Sequence, residues 1–166
     1  MTGVQTCALP ILVPDLPVDA LRGAGTRDEV ADALLGFAER IAPAAALLVM
    51  RKGTVAGHDG RGPSLDREAL KQVSIGLEQP SLFRDVVQSQ LPYRGPLTDS
   101  PAHRAVHRAL GQLSGDVLLL PISVSGKVIA VLFASGIIAP LPEASLRELA
   151  EEAGQAYERI LRSSRR

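Results

Sequence analysis

His103 and His107 stand at i and i+4 in HRAVH, the spacing that puts two imidazoles on one helix face within reach of a divalent metal. A zinc-protease helix needs Glu directly after the first histidine. Arg104 stands there instead, and Arg104 and Arg108 together repel a cation. The plainer expectation is a solvated helix face. His58, Asp59 and Arg61 fall together in GHDGRG. A histidine beside an aspartate suggests a base and its orienting carboxylate, but general-base work also needs a nucleophile in reach, which neighbours in a turn do not supply. Gly57, Gly60 and Gly62 match neither a dinucleotide fingerprint nor a P-loop. They are expected to make tight turns in a loop. GQLSG places Ser114 one position away from a nucleophile elbow, and after a helical stretch rather than a strand. These residues support no catalytic assignment and no metal site.

Tyr93 and Arg94, in LPYRGPL, are better candidates for ligand binding. Tyrosine offers an apolar plate with a polar tip, and an adjacent arginine can fork onto a carboxylate or phosphate. Phe83, on the segment before them, could line the same space. The plainer alternative leaves Phe83 and Tyr93 in the core and Arg94 in water.

The elements that must position these groups follow from periodicity and caps. Residues 12–25, rich in proline, glycine and small residues, read as a linker whose Leu16, Val18 and Leu21 can still dock on a core. Thr26 and Glu29 form a capping box, and Val30, Leu34, Phe37, Ala38 and Ile41 then recur at helical spacing until Pro43 stops the helix. Leu47–Met50 and Thr54–His58 predict a hairpin around Arg51-Lys52-Gly53, followed by a DGRGP loop. A short helix is expected after Ser64 or Asp66, a short strand at Ser74–Leu77, and a helix in PSLFRDVVQSQ. LPYRGPL reads as a proline-rich loop, and Ser100-Pro101 starts a helix that runs to about Gly111. DVLLLPISVSGKVIAVLFASG predicts two strands apolar on both faces, which belong at the centre of a sheet. After Pro142, a stripe from Leu146 to Ile160 makes an amphipathic last helix that ends in RSSRR.

Composition removes several classes of function. The 166 residues, 46% apolar and 22% charged, suit one domain with one core. The 18 basic and 18 acidic residues balance, so no broad field draws the chain to nucleic acid or to an anionic membrane. Aromatic residues are few and Trp is absent, which leaves no stacking platform for single strands. No apolar run reaches the roughly 20 residues of a membrane helix. Cys7 is the one cysteine, so a disulfide framework and a cysteine zinc site within one chain are excluded, and a reducing cytoplasm is expected. The opening MTGVQTCALPI is a poor signal peptide. Residues 1–11 resemble the in-frame translation of a common sequencing-library adapter. On that expectation Cys7 is foreign to the natural protein, and the chain is a fragment of a longer one.

The order helix, hairpin, short helices with a strand, hairpin, helix resembles the GAF domain. The likeness covers residues 26 to about 162. Pro121-Ile122, the turn glycine Gly126, the apolar run Val128–Phe133 and the LRELAEEAGQAYERI helix carry it. It implies an α/β (α+β) fold with a central antiparallel sheet flanked by helices, and one domain over residues 26–166. It also implies that any ligand pocket lies between the sheet and the middle helices, with LPYRGPL near its mouth, and that the first and last helices build a homodimer. Such modules regulate an attached output domain. The family's anchoring cysteine for bilins, its cyclic-nucleotide signature and its cysteine clusters are not found, and its members that reduce small oxidised substrates use cysteines. The expectation is therefore a non-catalytic regulatory or small-molecule sensory module without a cofactor. The alternative is a ligand-free interaction or dimerisation module with a filled core.

Overall fold

Two β-hairpins form the middle of the fold. In the computed structural model, which describes residues 15–97, 100–111, 115–137 and 141–163, the elements run in the order α1 (Val18–Gly23), α2 (Arg27–Ile41), β1 (Ala44–Arg51), β2 (Thr54–Arg61), α3 (Arg67–Lys71), β3 (Ser74–Gly76), α4 (Leu82–Ser89), β4 (Tyr93–Gly95), α5 (Pro101–Leu110), β5 (Val117–Val124), β6 (Lys127–Ser135) and α6 (Glu143–Ser163). Each hairpin turns on two successive left-handed residues. These are Lys52 and Gly53 (φ 48° and 81°) in the first, and Ser125 and Gly126 (φ 52° and 80°) in the second. Positive φ at both central positions gives a turn whose twist matches that of the flanking strands.

The strands form one six-stranded antiparallel sheet in the order β3-β2-β1-β6-β5-β4. This is the mixed helix and strand fold that the sequence implies. β1 and β6 occupy its centre. β5 is next to the edge, covered there by β4 only from Val117 to Leu119. Pro121 lies beyond that cover, where a missing N–H costs no ladder bond.

Strand alternation builds two cores on one sheet. Leu118, Leu120, Ala130 and Leu132 face α1, α2 and α6. Val117, Leu119, Val131 and Phe133 face α3, α4 and α5. The helices start where the side chains provide caps. Thr26 Oγ1 accepts the Glu29 N–H at 3.1 Å, Asp66 Oδ1 that of Ala69 at 3.0 Å, Ser81 Oγ that of Arg84 at 3.1 Å, and Ser100 Oγ that of His103 at 3.2 Å. Each bond satisfies one of the orphan donors of a first helical turn.

Three stretches differ from expectation. Within the predicted linker, residues 18–23 form α1, and Leu21 is fully buried. So short a helix does not hold by propensity. Here Arg22 grips the buried Glu152 carboxylate of α6 through Nε (3.0 Å) and Nη2 (3.0 Å), and Arg159 donates to the carbonyls of Leu21 and Arg22. β2 runs on to Arg61, through the first three residues of the predicted DGRGP loop. Its Gly57 and Gly60 are there for close approach rather than for turning: a Cβ would stand 1.9 Å from the Leu70 carbonyl oxygen at Gly57, and 2.9 Å from that of Ala45 at Gly60. LPYRGPL carries β4, an edge strand too short for a periodicity signal. Residues 1–11 with Cys7, as well as Ser114, lie outside the described residues.

Candidate functional site

Phe83 projects from α4 into the space between the sheet and the middle helices, and it is fully buried. Its ring centroid lies 6.0 Å from that of Phe133 and 5.9 Å from that of His103. Phe83 therefore occupies this interior rather than lining an opening into it. Tyr93, opposite Leu119 across the β4–β5 pair, is half-buried over the same sheet face, and its hydroxyl donates to the Pro96 carbonyl at 2.6 Å. Gly95 makes that fold-back possible, since a Cβ there would lie 2.9 Å from the tyrosine oxygen. Arg94 alternates to the outside and is exposed. Phe83 and Tyr93 thus share one core, and Arg94 does not join them.

The expectation of a solvated face for HRAVH fails at its first histidine. His103 is only 2% exposed, and its Nε2 accepts the Leu82 N–H, the first of α4, at 3.0 Å. One helix thereby caps another, since a buried orphan N–H requires a partner. His107 is exposed, so the pair does not converge. No group of three or more potential metal ligands occurs among the described residues.

The His58–Asp59–Arg61 cluster is divided by a β-bulge. Leu47 pairs with Asp59 and Leu48 with Gly57, which leaves His58 as the extra residue of β2. Burial alone would raise the Asp59 carboxyl. The Arg61 hydrogen bond (2.9 Å), the Gly60 N–H and nearby Arg67 outweigh it and hold the carboxyl below its ordinary value. Arg61 also reaches Asp32 (3.0 Å) and Glu39 (3.2 Å) on α2. Asp59 is thus committed to Arg61 and Arg67 and does not orient His58. The acid nearest His58 is Asp28, at 3.7 Å. The cluster fastens α2 and α3 to β2.

On the other face of the sheet, a cleft of about 310 Å³ opens where α2 begins, β1 ends and α6 reaches its last turns. Val49, Met50, Ile129 and Leu161 make its apolar lining; Arg27, Arg51, His58 and Tyr157 supply its polar groups. Two bulges place residues here. His58 is one, and Ile129 is the other, skipped where Ile122 pairs with Ala130 and Ser123 with Val128. A bulge re-aims a side chain that regular alternation would send elsewhere. Burial pushes the Tyr157 phenol up to about 12, with Arg27 pulling weakly the other way. Sequence reasoning missed the site because its residues come from five elements and share no motif.

No family model matches the chain, and no curated protein matches it in sequence. Solved structures do match in fold. A GAF domain/HD domain protein from Geobacter sulfurreducens is 18% identical over 86% of this chain and 96% of its own, with a TM-score of 0.63. A segment of a methyl-accepting chemotaxis protein is 15% identical over 87% of this chain and 94% of its own, with a TM-score of 0.69. A free methionine-R-sulfoxide reductase from Neisseria meningitidis, solved with its substrate, is 14% identical over 93% of this chain and 98% of its own, with a TM-score of 0.63. At such identities the likeness is one of fold, and the fold is GAF-like.

Proposed function

We propose that this chain is a non-catalytic regulatory or sensory module of a larger signalling protein. The observation that carries the reading is the GAF-like sheet with α1, α2 and α6 layered on one face, in a fold that it shares with domains of signalling proteins. In this reading α6, 21 residues long and charged on its outer side, passes a signal to an output domain or to a second copy of the chain. Arg94 and the Tyr93 plate remain candidates for a contact at the outer end of the sheet. The scarcity of cysteine supports a cytoplasmic setting. It also disfavours sulfoxide reduction, for which the sequence offers Cys7 alone. Among the described residues no helix is long and apolar enough to cross a membrane.

A second reading, a ligand-free interaction module, is favoured by one observation: Phe83, Phe133 and His103 fill the interior beside the middle helices. Analytical ultracentrifugation at micromolar concentration, paired with an assay for methionine sulfoxide reduction, tests the regulatory reading. A dimer without turnover is the expected result. Turnover would overturn the non-catalytic reading, and a strict monomer would remove the second copy as the recipient of the signal.

A further inference from the structure

We propose that the cleft between α2, β1 and the last turns of α6 binds a small amphipathic carboxylate, an anionic head on a short acyl chain. The proposal rests on the regulatory reading and supplies it with a ligand class and a site, on the sheet face opposite Phe83.

The lining divides as such a ligand requires. Val49, Met50, Ile129 and Leu161 offer an apolar surface for a chain. Arg27 and Arg51 stand beside it, and neither has an ion-pair partner among the described residues, whereas Arg22, Arg61 and Arg67 each hold a carboxylate. A free guanidinium at the mouth of an apolar cleft suits a carboxylate, which it can grip with two parallel hydrogen bonds. His58 adds a donor or acceptor at the same rim, with the exposed Asp28 at 3.7 Å setting a limit on how many negative charges the rim tolerates. That acid favours a singly charged head over a phosphate. The Tyr157 hydroxyl, raised toward 12 by burial, stays protonated at neutral pH and can donate to the head group.

Size sets the chain length. Ligand pockets run from roughly 300 to 1,000 Å³, and a cleft of about 310 Å³ is at the small end. It suits a linear chain of about eight carbons. In this arrangement the chain lies against Ile129 and its apolar neighbours, and the head group meets Arg27 and Arg51.

Octanoate titrated into the isotopically labelled full chain tests this, with octanol and acetate as probes lacking the charge and the chain. The expected result is saturable shifts at Ile129, Tyr157 and Leu161, absent with acetate and at least about tenfold weaker with octanol, as loss of a charge-assisted bidentate contact implies. Arg27→Gln with Arg51→Gln should weaken octanoate to the level of octanol; both arginines are exposed, so the fold is kept. Equal binding of octanol and octanoate, no saturable shift, or shifts centred on Phe83 and Tyr93 would each overturn the site. So would a dimer in which dilution alone shifts Ile129 and Leu161, because a second copy would then fill the cleft. Reductase turnover would sink the regulatory reading without touching these shifts.

Discussion

Tyr157 sits at the junction of packing and ionisation. Its ring packs into the helical core while its phenol faces the cleft, and burial moves the phenol from 10.0 to about 12. The unfolded chain ionises at its ordinary value, and the folded one resists until the raised value. Stability is therefore full below about pH 10 and falls as pH rises through the interval to about 12, by at most about 1.4 kcal/mol per pH unit. Urea unfolding across that range should show wild type losing stability relative to Tyr157→Phe, whose ring has nothing to ionise. Parallel curves for the two proteins would place the alkaline transition in other groups. His103 illustrates the opposite case, a polar atom consumed by structure: its Nε2 accepts the Leu82 N–H. HRAVH places this histidine on a helix, but which backbone amide would meet it depends on how α4 packs against α5.

Among the elements, α1 depends most on its neighbours. Leu21 and the Arg22–Glu152 and Arg159 contacts tie it to α6. The Arg22 hydrogen bond holds the Glu152 carboxyl below its ordinary 4.5. The contribution of this pair is thus present above that value and is lost as pH falls through the lowered one. Glu152→Gln should speed amide hydrogen exchange in residues 18–23 while leaving β1 and β6 protected, as a locally opening unit would. Unchanged exchange in α1 would mean that Leu21 and the Arg159 contacts hold the helix without the Arg22–Glu152 pair. The long helices rest differently on the sheet. α6 crosses β5 so closely that a Cβ on Gly154 would lie 2.5 Å from the Ser123 carbonyl oxygen, and α3 meets β2 as tightly at Gly57. Backbone against backbone cannot yield as a side-chain tip can, so these glycines set the distance between helix layers and sheet.

For the molecule as a whole, the sheet is shared property. Adjacent residues of one strand serve opposite cores: Leu118 belongs to the α1/α2/α6 side and Leu119 to the α3/α4/α5 side, and both are fully buried. Losing either core exposes half of every central strand, so the two sides are expected to unfold together. Leu118→Ala and Leu119→Ala should each cost about 2–5 kcal/mol. In both variants circular dichroism and the Tyr157 signal should report one common transition. Separate transitions in the Leu119→Ala protein would show the helical layer standing without the other side. A shared sheet also gives ligand binding on one face a route to the other, since rigid packing does not deform locally.

Capping residues, turn pairs and alternation were legible because each depends on residues within a few positions of one another. Thr26, Asp66 and Ser100 begin helices, Ser125-Gly126 turns a hairpin, and the doubly apolar β6 runs through the middle of the sheet. The sheet at the centre, with helices on both faces, follows from that pattern and from the burial it demands. What the sequence left open depends on contacts between residues far apart. β4 exists because β5 offers it an edge, and α1 because α6 offers it a carboxylate. Gly57 and Gly60 look like turn residues until Leu70 and Ala45 are seen against them. The cleft joins Arg27, Arg51, His58, Ile129 and Tyr157 through two bulges, and a bulge is a mismatch between two strands that neither strand reveals alone.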